Sequence, residues 1–201
     1  MATATIRQRA PFQFSEDDDT DVHILDEEEQ EEVIEDLRKK NDDSNAVYLM
    51  GLQAVLALSL LLQLVYLFKP NKISPFAVLL PGSTSEPLPL ANGLTILQIL
   101  IHINLSLNCL PPNHPYRKLV PRSTLPGSLS IPLPLLHPVA LALPVIAPFL
   151  ALALGRGLAD LVWWAEPGIL LAIVAVVKKW IADGEKDIMK LERLRYEARG
   201  A

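Results

Sequence analysis

The sequence predicts an all-α membrane protein: a small bundle of about four transmembrane helices, with a disordered acidic N-terminal tail and cytosolic helical extensions. Three observations lead there. From Ala46 to Phe68 the chain runs 23 residues without a charge. At about 1.5 Å per helical residue that is about 34 Å, enough to cross a hydrocarbon core of about 30 Å. Three further apolar stretches follow, at about 90–110, 135–154 and 158–180, separated by Pro- or Gly-containing connections. Finally, the charge is split. Residues 1–45 carry 15 Asp/Glu and 5 Lys/Arg, whereas 46–201 carry 8 and 13, so a tail of net −10 precedes a body of net +5.

The elements follow in order. Residues 1–24 hold few apolar side chains and the acidic run Ser15–Asp21, the composition of a disordered, solvated tail. MATATIRQRAPFQF lacks the apolar core of a secretory signal, so the first span is expected to act as an uncleaved signal-anchor. Residues 26–40, DEEEQEEVIEDLRKK, predict a helix with acids in its first turns and Arg38, Lys39 and Lys40 in its last, matching the macrodipole. Asn41-Asp42-Asp43-Ser44-Asn45 is expected to break that helix and cap the next. The tail thus forms one region (1–45), the membrane domain a second (46–180), and a charged cytosolic helix a third (181–201).

Within the membrane domain the third stretch carries Pro138, Pro144 and Pro148. It is therefore either a kinked span or a re-entrant segment. Gly155-Arg156-Gly157 predicts a tight turn before the fourth span. Trp163, Trp164 and Trp180 fit aromatic belts at the two bilayer interfaces, with Lys178 and Lys179 marking the exit. Four spans place five Lys/Arg of the N-tail, three of the 111–134 loop and seven from Lys178 onward on one side, 15 in all, against three on the other. The positive-inside rule then puts both termini in the cytosol. Without a presequence, the endoplasmic reticulum or a connected membrane is the expected location.

The polar residues inside the spans are the candidates for chemistry. Ser59, Gln63 and Tyr66 form a stripe on the first span; Thr95, Gln98 and His102 share a face of the second. Counted from the luminal ends the stripes are nearly level, so they are expected to face each other and hydrogen-bond. Glue between helices outweighs a proton-carrying or ligand-binding role for His102, because a lone His without a nearby acid makes a poor relay. Asn104 and Asn108 lie on roughly the opposite face. Arg156 and Asp160 read as an exposed or snorkelling i,i+4 ion pair at the luminal interface. Glu166, before Pro167-Gly168, is the candidate functional acid, since intramembrane ionisable residues default to functional hypotheses. The competing reading lets it reach interfacial water beside the tryptophans, with the span beginning as late as Pro167. That start leaves about 14 residues before Trp180, short for a span.

Several classes are not supported. Cys109 is the one cysteine, so no internal disulfide framework exists, and no Cys/His cluster has metal-ligand spacing. No catalytic motif, cofactor motif or nucleic-acid footprint is present, and no repeat halves are visible. The expected function is a non-enzymatic subunit, adaptor or scaffold of an endomembrane complex. It would bind the lipid bilayer through its spans and a membrane or cytosolic protein through 26–40 or 181–199. The alternative is a small transporter or lipid-handling protein with Glu166, His102 and Gln98 lining a polar cavity.

Overall fold

The computed structural model describes residues 27–78, 87–110, 114–115 and 133–199. Of these, 85% are helical and none is in a strand, which fixes the all-helical class. Among the described residues four α-helices follow one another: α1 (Glu27–Phe68), α2 (Ala91–Cys109), α3 (Pro138–Ala153) and α4 (Leu158–Arg199), with a 3-10 turn at Pro75–Val78. The acidic run Ser15–Asp21 and most of the 111–134 loop lie outside the described residues.

Two helices, α1 and α4, are long and apolar enough to cross a membrane. Only 22% of the apolar window of α1 and 39% of that of α4 is buried within the protein, unlike the core helix of a soluble domain. Large side chains such as Met50, Leu58, Phe68 and Ile173 stand exposed instead. The expected four spans are not all matched in length and apolarity. α3 has 16 residues, about 24 Å of rise. α2 is diluted by Asn92, Gln98, His102, Asn104 and Asn108.

The chain forms two compact units: Met1–Asp42 with Glu185–Ala201, and Asp43–Gly184. In the first, ion pairs join the two helical segments, Arg38 to Glu192 and Arg195 Nη2 to Glu31 Oε2 at 3.3 Å. A local pair, Lys40 with Asp36 at 2.7 Å, supports the helix from within. Complementary charges of 26–40 and 181–199 therefore meet inside one chain.

The expected break at Asn41–Asn45 is absent, for α1 is helical throughout. Each Asn, Asp or Ser lowers helix propensity by only about 0.5 kcal/mol, and propagation from strong formers on both sides overrides that. Likewise α4 begins at Leu158, not Pro167, and holds Pro167 in its interior. α3 starts with Pro138 at its first turn, where no N–H is needed, and the His137 side chain accepts from Val139 N at 3.3 Å. Pro144 and Pro148 sit inside it. The turn into α4 is made at Gly155, whose φ of 66° a β-carbon would strain.

The second unit stacks its core in layers. One apolar cluster gathers Leu52, Leu56, Ile101, Leu105, Leu171 and Val174. The other gathers Tyr66, Leu94, Ala147, Ala151, Trp163 and Trp164. By position along α1, α2 and α4, a polar layer lies between them.

Candidate functional site: a polar layer between two apolar clusters

The layer is built by three helices whose ends are tied together. At the C-terminus of α1, Lys72 Nζ donates to the carbonyls of Tyr66 at 2.8 Å and Leu67 at 2.6 Å, satisfying acceptors that the helix leaves open. Tyr66 packs at a tilt against Trp163, ring centroids 5.1 Å apart, and donates its hydroxyl hydrogen to Lys72 O. Ser74 Oγ donates to Ala159 O, which ties the chain after α1 to the start of α4. From this common end the rise is about 14 Å to Ser59, about 12 Å to Glu166 and about 17 Å to His102. The three side chains therefore lie at similar heights along the bundle.

They converge. Ser59 Oγ lies 2.7 Å from His102 Nε2, and Ser59 also donates to Glu166 Oε1. His102 Nε2 is 3.2 Å from the same Glu166 oxygen. Gln63 Nε2 donates to Glu166 Oε2 at 3.4 Å. His102 is fully buried, as is Gln63. The acid that His102 lacks in sequence is thus supplied by α4. Glu166 points inward onto α1 and α2, with 22% of its side chain exposed, rather than out to interfacial water.

The remaining candidates fall around this centre. Gln98 does not pair with Gln63; it donates Nε2 to the carbonyl of Trp164 at 3.3 Å. Thr95 bonds back to Ala91 O within its own helix at 2.7 Å and makes no bridge. Among the described residues, Gln63 Oε1 and Gln98 Oε1 are buried without a hydrogen-bond partner. Asn104 and Asn108 serve elsewhere, clamping the backbone of Leu133 from both its N–H and its carbonyl.

The expected interface anchors divide. Trp180 is 67% exposed and Lys179 is exposed, as a belt requires. Trp163 and Trp164 are each only 2% exposed, so they do not form a belt; they pack among Tyr66, Phe76 and Leu94. Tyr66 of α1 and Ala147 and Ala151 of α3 cover them in place of lipid or headgroups. Lys178 is drawn back to donate to Asn108 O at 2.7 Å, closing the C-terminus of α2. Asp160, read as half of an exposed pair, is buried. Sequence reasoning missed the Lys72 cap and Ser74. The meeting of His102 with Glu166 is the convergence that the alternative reading, a polar cavity, requires.

The hydrogen positions can be argued from the partners. His102 Nδ1 lies 2.7 Å from the Gln98 carbonyl, which only accepts. Nδ1 therefore carries a hydrogen, and Nε2 faces Ser59 and Glu166. This is not the arrangement of a serine hydrolase, where the carboxylate holds the ring nitrogen opposite the nucleophile. Here hydroxyl and carboxylate share one nitrogen.

These features define a helical bundle with two helices long and apolar enough to cross a membrane and a part-buried Ser–His–Glu layer between them and α2. Comparison of the chain with family models, with curated proteins and with solved structures gave no match.

Proposed function

We propose that the chain is a four-span protein of the endoplasmic reticulum or a connected endomembrane, working as a small transporter or lipid-handling protein through a polar intramembrane cavity. The observation that carries this reading is the convergence of Ser59, His102 and Glu166 from three helices. Ionisable groups are rare within membrane spans, and where they occur facing a bundle interior they mark substrate, ion or proton sites. Four spans are supported by apolar side chains exposed on the two shorter helices, Leu100 and Ile103 on α2 and Val145 and Phe149 on α3. Both termini are cytosolic in this reading, as the basic residues are distributed 15 to 3.

The single cysteine makes a direct test simple. In a Cys109→Ala background, Ser59→Cys and Gln63→Cys are treated in sealed vesicles with a small hydrophilic methanethiosulfonate. Modification of either thiol supports a water-reachable cavity. Two inert thiols, with an exposed loop cysteine modified in parallel, reduce the layer to structural glue.

A non-enzymatic subunit or adaptor is the second reading. It is favoured by the exposed Leu37, Met189 and Leu194 on the tail segments, which leave apolar surface for a partner. Affinity purification from mild detergent decides it: a stoichiometric companion supports the adaptor, and none argues against it.

A further inference from the structure

We infer that the layer binds one exchangeable proton, shared between His102 Nε2 and Glu166 Oε1 and handed across by the Ser59 hydroxyl. The inference deepens the cavity reading by naming a proton as what the site holds, and it rests on that reading for its role in transport.

The hydrogens between the three side chains can be counted. Nδ1 of His102 is committed to the Gln98 carbonyl. If His102 carried only that hydrogen and Glu166 were ionised, bare Nε2 would face a carboxylate oxygen at 3.2 Å, and the only hydrogen between Ser59, His102 and Glu166 would be the Ser59 hydroxyl's. Two acceptors would then stand in contact, in a part-buried layer flanked by apolar clusters. That state also leaves a net negative charge between two apolar clusters. Adding one proton removes both defects. It makes either an imidazolium beside a carboxylate or a neutral imidazole beside a carboxylic acid, and both are neutral as a unit.

Ser59 connects the two forms. Its oxygen lies 2.7 Å from Nε2 and its hydrogen points at Glu166 Oε1. As the Nε2–H bond breaks, its proton bonds to Ser59 Oγ. The Ser59 hydroxyl proton moves at the same time to Oε1. The imidazolium becomes neutral, the carboxylate becomes an acid, and serine ends as it began. No oxidant or further reactant is needed.

Few other groups compete. On α1 the layer meets Gln63, with Tyr66 one turn further; α2 offers no other titratable side chain near His102. α3 has none between Pro138 and Ala153, and the next acid on α4 is Asp160, among the residues of the other end.

The test is nitrogen-15 NMR of the full chain in lipid bilayers, labelled on histidine and read between about pH 5 and about pH 8. Sequential correlations assign His102 among four histidines. The expected result is a hydrogen on Nδ1 throughout, with a proton at Nε2 shared with Glu166. In Glu166→Gln the amide donates to Nε2, and the imidazolium is lost across the range. A neutral His102 with its hydrogen on Nε2 overturns the inference, and so does a His102 state identical in the native chain and Glu166→Gln. The tautomer is read in the native protein, so it survives a variant that fails to fold. A layer closed to the thiol reagent would sink the cavity and leave the shared proton standing; an Nε2–H tautomer would do the reverse.

Discussion

Ser59 is the smallest member of the polar layer and the one whose removal is easiest to interpret. Ser59→Ala deletes one oxygen, and with it the bond to Glu166 and the contact of 2.7 Å to His102. Hydrogen bonds between helices in membranes average about 0.6 kcal/mol and reach about 1.7, so losing two costs about 1.2 kcal/mol, and up to about 3 where a charge is involved. The alanine leaves a gap of one atom and brings no new partner. A double-mutant cycle with His102→Leu isolates the contact that the two share, with an expected coupling between about 0.6 and about 2 kcal/mol. Reversible unfolding in mixed micelles by sodium dodecyl sulfate supplies the free energies. Tryptophan fluorescence supplies the signal, because Trp163 and Trp164 are buried beside the layer while Trp180 is exposed. If the two substitutions add within about 0.3 kcal/mol, Ser59 and His102 do not interact, and the reasoning fails.

Three further outcomes are expected. Leu90 holds a left-handed backbone, φ 60°, with its side chain 81% exposed, so Leu90→Gly relieves strain of about 1 kcal/mol at no loss of packing; the same unfolding assay should show stabilisation, and a loss would contradict it. Asn104→Ala frees the Leu133 N–H from its acceptor at 2.7 Å, so exchange of that amide should quicken and stability fall by about 1 kcal/mol, with no change in exchange at Ser59. In the tail unit, Glu31→Arg and Arg195→Glu should each loosen residues 185–195 in hydrogen exchange, and the double swap should restore protection. The effect stays below about 1 kcal/mol and fades with salt, since Glu31 is exposed.

Much of the architecture was legible because helices in an apolar setting write their limits in composition. The span ending at Phe68, the helix near 91–109 and the turn at Gly155 all follow from runs of apolar residues punctuated by Pro, Gly and charge. Facing Ser59 toward His102 needed only helical periodicity and depth. What was not legible depends on rotation of one helix against another. Whether Glu166 turns to water or to His102 is decided by which way α4 rolls, and that is set by Trp163 and Trp164 packing on Tyr66 and Phe76. An indole pair near a span end looks the same in sequence whether it faces headgroups or a neighbour. The pairing of Gln98 with a main-chain carbonyl, and of Asn104 with Leu133, is equally invisible, because a backbone group carries no residue code. At Asn41–Asn45 local preference pointed to a break, and cooperativity along α1 prevailed.

His102 of α2 meets Glu166 of α4 at the centre of the polar layer. Solid-state NMR on the full chain in lipid bilayers, labelled with nitrogen-15 on histidine and carbon-13 on glutamate, measures that contact directly. Nε2 at 3.2 Å from the carboxyl oxygen predicts a strong cross-peak between the His102 ring and the Glu166 carboxyl, lost in Glu166→Gln. An assigned His102 line with no carboxyl cross-peak in the native protein would contradict it.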